Sequence, residues 1–314
     1  MRVRARLKIF SKVATLLEAS LQVPAKVFIG GSHEQNKIEP VHLYRGGLGK
    51  TFLKKIPITA IGALLFAAAL VFTSCSNDSG SGAPQAPFVE GGASLILSSD
   101  KPNIKVTATT SDGLDITVEG CNEATLTSGT ETDLHANGTL VILKGKITEL
   151  TCCENKLIAL NVRGCSALEY LDCDDNQLAV LNVQECSALQ SLYCSDNQLA
   201  TLNVQGLTAL NRLDCYDNQL AALNVQGCSA LKTLYCDCNQ LAAAAFKKLF
   251  DDLPTRDAGD NAKCYLYSED PGVTEGNHTD FTVPDALKNA FETAKTDKKW
   301  TMYKYDADGN AQEI

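Results

Sequence analysis

Thirteen cysteines are the side chains with the most reactive chemistry in this 314-residue chain. Cys152, Cys173, Cys194, Cys215 and Cys236 recur every 21 residues, and Cys165, Cys186 and Cys228 share a second register. Such a ladder could form disulfides, bind a metal as thiolates, or fill small apolar slots. Stacked strands lie about 4.8 Å apart with parallel side chains. A disulfide needs β-carbons closer together, about 3.8 Å, and a twisted bond. No His falls within the repeated stretch, and no Cys-x-x-Cys pair of zinc spacing occurs. Leu207 replaces Cys at one step of the second register, which suits an apolar slot and not a ligand. The ladder therefore reads as buried thiols, with no metal and no cofactor. Cys121, Cys153, Cys238 and Cys264 fall outside it.

A second ladder, Asn155, Asn176, Asn197, Asn218 and Asn239, keeps the same step. A carboxamide both donates and accepts, so an Asn at each bend can satisfy main-chain groups within and between neighbouring copies. A structural role is expected for all five. Binding chemistry is expected from residues pointing away from the core. These include Tyr170, Asp172, Tyr193, Asp196, Arg212, Asp214, Tyr216, Asp217 and Tyr235, with Asp174, Asp175 and Asp237 beside them. Tyr is large, rigid and amphipathic, the type enriched in protein contacts, and acid favours encounter with a basic partner. On an open sheet nothing excludes water, so these carboxylates are not tuned for acid–base catalysis. The region after residue 75 holds only His135 and His278, neither near a nucleophile motif, and no enzyme is expected.

The elements that must position these residues are five copies of LxxLxCxxNxLxxLNVxxC, starting at Ile147, Leu168, Leu189, Leu210 and Leu231. Alternation in the LxC segment sends Leu150 and Cys152 to one side and Glu149 and Thr151 to the other. One copy cannot bury a core alone, so the array must be contiguous and covered at its ends. A short fixed period with a Leu ladder and one Asn per copy predicts an α/β repeat fold. It would be a leucine-rich-repeat solenoid of five 21-residue turns, with a parallel β-sheet on its concave face. The copies resemble the Cys/Asn-containing leucine-rich repeats of spirochaete- and Bacteroides-type surface lipoproteins. The resemblance covers 147–251, a third of the chain. It implies an extracellular protein of the kind implicated in attachment to host proteins or other bacteria.

The apolar run at 56–72, with Lys50, Lys54 and Lys55 before it and Thr73-Ser74-Cys75 after it, has the form of a secretory signal. A small residue followed by Cys resembles a bacterial lipoprotein signal, which implies lipidation of Cys75; Phe72 departs from the usual Leu or Val. Residues 1–49 show no periodicity and read as an upstream segment from a start assigned too early, with the signal peptide at 50–75. The GGLGKT run at 46–51 lacks the earlier Gly of a phosphate loop, since Tyr44 stands in its place. Residues 76–93, rich in Gly, Ser, Pro and Ala, read as a flexible linker. Residues 94–146 alternate apolar runs with turns and predict a β-rich N-terminal cap. Residues 252–314 predict a mixed α/β C-terminal cap holding the single Trp. Asp306-Ala-Asp-Gly-Asn310 begins like a calcium loop but has no Glu at the twelfth place, and a turn is expected.

Charge divides the chain. Residues 1–74 hold 11 Lys and Arg against 3 Asp and Glu, whereas 75–314 hold 17 against 34, a net of −17. So acidic a body excludes nucleic acid, which needs cations to neutralise phosphate. Together these readings predict a protein secreted across the inner membrane and lipid-anchored at the outer membrane or cell surface. Its acidic, Tyr-rich face would bind a basic protein from a host or another bacterium. The alternative is a structural or envelope-assembly lipoprotein with no host partner.

Overall fold

The computed structural model describes residues 84–314. The upstream segment, the signal-like stretch with Cys75, and the first part of the linker lie outside the described residues. Six strands precede the repeats: β1 (Gly92–Leu97), β2 (Asn103–Thr110), β3 (Ile116–Glu119), β4 (Thr125–Leu126), β5 (Thr132–His135) and β6 (Leu140–Lys144). In β2 the alternation is clear, with Ile104, Val106 and Ala108 buried between more open neighbours. The repeats contribute β7 (Ile147–Thr151), β8 (Leu157–Asn161), β9 (Tyr170–Asp172), β10 (Val180–Asn182), β11 (Ser191–Tyr193), β12 (Arg212–Asp214) and β13 (Thr233–Tyr235). Beyond them lie α1 (Ala243–Asp252), β14 (Ala262–Ser268), α2 (Asp285–Thr296), β15 (Trp300–Tyr305) and β16 (Ala311–Glu313).

Two mixed sheets collect these strands. The larger has ten, in the order β16-β15-β14-β13-β12-β11-β9-β7-β2-β5. Within it β7, β9, β11, β12 and β13 pair in parallel, each displaced by one copy, so that Leu150, Leu171, Leu192, Leu213 and Leu234 lie side by side. The smaller sheet runs β10-β8-β1-β6-β3-β4. The apolar residues of both sheets belong to one core, in which the Leu and Cys of the LxC segments are 0% exposed.

This architecture corrects the expected α/β leucine-rich-repeat solenoid. The described chain is mostly β, with sixteen strands in two large mixed sheets and only two α-helices. Neither helix lies inside a repeat copy between Ile147 and Leu241. The physical reason lies in the copy itself. After the strand, its apolar residues fall at places 11, 14, 16 and 19 among Asn, Asp, Gly and Ser. That spacing gives no sustained 3.6-residue stripe, and the polar residues favour turns over helix interiors. Helices occur only in the connections that join β13 to β14 and β14 to β15, which are longer than those between the parallel strands of the repeats. The helical faces are apolar at i, i+3 and i+4: Phe246, Leu249 and Phe250 in α1 and Leu287, Ala290, Phe291 and Ala294 in α2.

Both ends of the repeats continue as hydrogen-bonded sheet. At the amino end β2 pairs antiparallel with β7, and β1 pairs antiparallel with β8, so each sheet receives a cap strand. The last residues of the expected linker are held as well. Asn161 Nδ2 donates to Ala86 O at 3.0 Å, and Ala86 is buried. A β-carbon on Gly164 would lie 1.9 Å from Val89 O, so only Gly admits this strap. At the carboxyl end Phe246, Phe250, Phe281 and Phe291 pack face to face and edge to face at 5.1–5.7 Å, and Trp300 Nε1 donates to Pro254 O at 2.8 Å. The Asp306–Asn310 stretch is a turn in which Asp306 Oδ1 accepts from the Asp308 and Asn310 amides.

Candidate functional site

The Asn ladder sets the spacing of everything on the sheet surface. Asn197 Oδ1 accepts from Leu178 N at 2.9 Å, while its Nδ2 donates to Cys173 O, Cys194 O and Ser195 O. Asn176, Asn218 and Asn239 repeat the arrangement one copy apart. Asn155, at the end, turns instead to the cap and pairs with both the N–H and C=O of Lys105. A sixth rung follows the repeats. Asn277 Oδ1 accepts from Leu241 N at 2.8 Å, and its Nδ2 donates to Cys236 O at 2.8 Å. A smaller Asn series, Asn161, Asn182, Asn203 and Asn224, accepts from the amide two residues on. Among the described residues all twelve cysteines are free, ten of them buried. Several thiols also donate to a main-chain carbonyl in an adjacent layer, as Cys173 does to Tyr193 O and Cys186 to Val162 O.

Along the sheet surface the Arg and Tyr side chains form a row. Tyr170 meets Tyr193 at 5.5 Å between ring centres. The Arg212 guanidinium lies over Tyr193 at 5.0 Å and over Tyr235 at 4.7 Å, and its Nη2 reaches Asp214 Oδ2 at 3.1 Å. Tyr235 stacks on Tyr265 at 4.2 Å and 7°, and Tyr265 stacks on Tyr303 and Tyr305 at 4.9 and 5.6 Å. Sequence reading placed Tyr170, Tyr193, Arg212 and Tyr235 on this face but missed the last three. Their signal was the tyrosine-rich strands at 262–268 and 300–305, which the register Tyr235↔Tyr265↔Tyr303 carries into the row.

The predicted acids divide into two groups. Asp175, Asp196 and Asp217, at the eighth place of their copies, sit at φ 52, 51 and 46°. Asp tolerates that left-handed turn better than most residues, so a conformational demand explains its presence there. Tyr216 stands beside Asp196, whose carboxyl is raised chiefly by burial. Asp172, Asp174, Asp214 and Asp237 form the second group, drawn into the surface. Burial pushes Asp174 up to about 7, against two hydrogen bonds from Ser195 at 2.6 and 2.8 Å. Burial, with the Glu275 and Asp214 charges, pushes Asp237 up to about 7. Asp172 and Asp214 are raised by burial too, the latter despite Arg212.

Asp196, Asp214, Tyr216, Asp217, Tyr235, Asp237 and Arg212 line one hollow of about 440 Å³, closed on its far side by Ser268, Asp270 and Tyr305. Tyr170 and Asp172 do not line it. Glu275, also missed from sequence, ties together two segments that line it, at Cys238 and Ser268. It accepts from the amides of Cys238 at 3.0 Å, Ser268 at 2.7 Å and Asn277 at 2.7 Å. Among the described residues no three His, Cys, Asp or Glu side chains converge in a way that could hold a metal ion. No known family model matches the chain, and no curated protein matches it.

Proposed function

We propose that the chain is a surface protein, anchored through a lipid on Cys75, that binds a basic protein partner through its tyrosine-rich sheet face. The observation that carries this reading is the row Tyr170–Tyr193–Arg212–Tyr235–Tyr265–Tyr303, a continuous aromatic and cationic band on the sheet face that borders an acidic hollow. Stacked, mutually supported rings lose little freedom on binding, which lowers the cost of association. Carboxylates at one end favour encounter with a positively charged partner. No described helix is long and apolar enough to cross a membrane, so the anchor rests on the sequence at 56–75.

Two measurements test the proposal. Immobilised full chain should retain basic proteins from host or bacterial surface extracts that a Tyr193→Ala, Tyr216→Ala, Tyr235→Ala variant does not retain. Identical retention by both would remove the face from the account. Metabolic labelling with a lipid precursor should mark the wild type and not Cys75→Ser, and equal labelling would remove the anchor.

A further inference from the structure

The acidic hollow beside the row contains polar atoms that the folded chain leaves unmatched. Asp214 Oδ1, Asp237 Oδ1 and the Arg212 Nε donor are buried and have no hydrogen-bond partner, and each of the two Asp residues is only 6% exposed. A buried acceptor without a partner costs about 1–3 kcal/mol, and more when charged. Asp196, Asp217 and Asp270 add further carboxylates to the wall, against the single cation Arg212. That cation is held in place but does not meet these oxygens: its Nη2 holds the other oxygen of Asp214, its plane lies between two tyrosines, and its Nε finds no acceptor. The rings of Tyr216, Tyr235 and Tyr305 complete the lining.

We propose that this hollow binds an organic cation with at least two N–H groups, a guanidinium or primary ammonium, seated between Asp214 and Asp237 and against the tyrosine rings. Both chemistries match the unmet acceptors and the π-faces, since a cation over Tyr gains about 0.5–2 kcal/mol as water is excluded. A volume of about 440 Å³ admits such a head group with part of its stem. A metal ion fits less well, because no three carboxylates converge. Burial holds Asp237 partly protonated near neutral pH, and an arriving cation supplies the charge that favours its ionised form. The larger hollow at the amino end, about 530 Å³, has no comparable need. Thr110 Oγ1 is bonded to Leu114 O at 2.7 Å, and Lys146 to Asp112 at 3.1 Å.

The site stands on its own geometry, but assigning its cation to a protein partner rests on the proposed function. Calorimetric titration of the full chain tests it, with Nα-acetyl-arginine amide, Nα-acetyl-lysine amide, spermidine, Nα-acetyl-citrulline amide and calcium chloride as separate probes. At least one of the three organic cations should bind saturably at one site, and the uncharged citrulline probe should not. Preference for the blocked amino acids assigns the cation to a protein side chain, and preference for spermidine assigns it to a free amine; either supports the site. Asp237→Asn and Tyr305→Leu should each weaken binding at least tenfold with melting retained, whereas Asp112→Asn at the other hollow should leave it unchanged. No saturable organic cation, equal binding of citrulline, calcium binding that displaces the organic probes, or undiminished binding by both hollow variants overturns the site. Loss of partner retention in the triple tyrosine variant with no small-cation binding would leave the face and remove the hollow; cation binding with unchanged retention would do the reverse.

Discussion

At the residue scale, the Asn ladder and the buried acids have opposite energetics. Each rung from Asn176 to Asn239 gives a buried main-chain N–H its acceptor and shares a carbonyl with its neighbour. Asn197→Ala strands the buried Leu178 N–H, whereas Cys173 O and Cys194 O keep a bond from the neighbouring rungs Asn176 and Asn218. A loss of at least about 1–3 kcal/mol is expected in denaturant unfolding. Asn277→Ala, outside the repeats, should cost a similar amount because it makes the same bonds to Leu241 and Cys236; a near-neutral result would deny it a place in the ladder. Asp237 works the other way. Its folded carboxyl is raised from 3.8 to about 7, so the folded state holds its proton more tightly than the unfolded state does. The stability this lends is fully present below the ordinary carboxylate range and is lost as pH rises through about 7. Asp174 adds the same slope. The melting midpoint attributable to these groups should therefore fall between pH 4 and 8. Asp237→Asn should flatten that fall and gain about 1–3 kcal/mol at pH 8 by replacing an unmatched buried acid. A steeper fall in the variant contradicts the assignment.

At the scale of elements, the regular parts of the fold were legible because each copy states the same pattern five times. The Leu and Cys registers mark the strands and the core, and the Asn register marks the bends. Helical content was not legible: the Leu pattern suggested an α/β class, whereas places 11 to 19 carry turn-forming residues and short extended segments instead. Asn277 was hidden because it follows Asn239 by 38 residues, a helix and a strand having been inserted between them. Tyr265, Tyr303 and Tyr305 were hidden for the same reason, since crossovers bring them to the row across long stretches of sequence. The two ends also differ in how they are held. The strap over Gly164 leaves no room for a β-carbon. Gly164→Ala should therefore expose the 84–91 segment to proteolysis while sparing the carboxyl half, and unchanged cleavage would show that the strap does not depend on this contact. At the other end Phe250→Ala should cost about 3–5 kcal/mol, because it empties the centre of an aromatic cluster.

At the scale of the whole molecule, the described chain is a single apolar core between two mixed sheets. Ten of the twelve described thiols are buried, and burial raises Cys152, Cys173, Cys194, Cys215 and others well beyond the reactive range. Native protein should therefore react at most at Cys121 and Cys153 among these, and denatured protein at all twelve; rapid titration of the ladder in the native state would contradict the packing. The surface left for partners gathers five tyrosines of five strands and the Arg among them, next to a hollow with unmatched carboxylate oxygens. Half-buried rings in mutual contact form a rigid platform, and rigidity is what a low-entropy binding surface needs.

The central claim is that this platform is where a partner docks, and side-chain footprinting of the tyrosines tests it most directly. Full chain would be labelled by hydroxyl radicals with and without the most abundant retained basic protein. Protection should fall on Tyr193, Tyr235 and Tyr303, with Tyr267, which packs against Phe281, unchanged. Unaltered labelling of those three, with protection elsewhere on the molecule, would contradict the account.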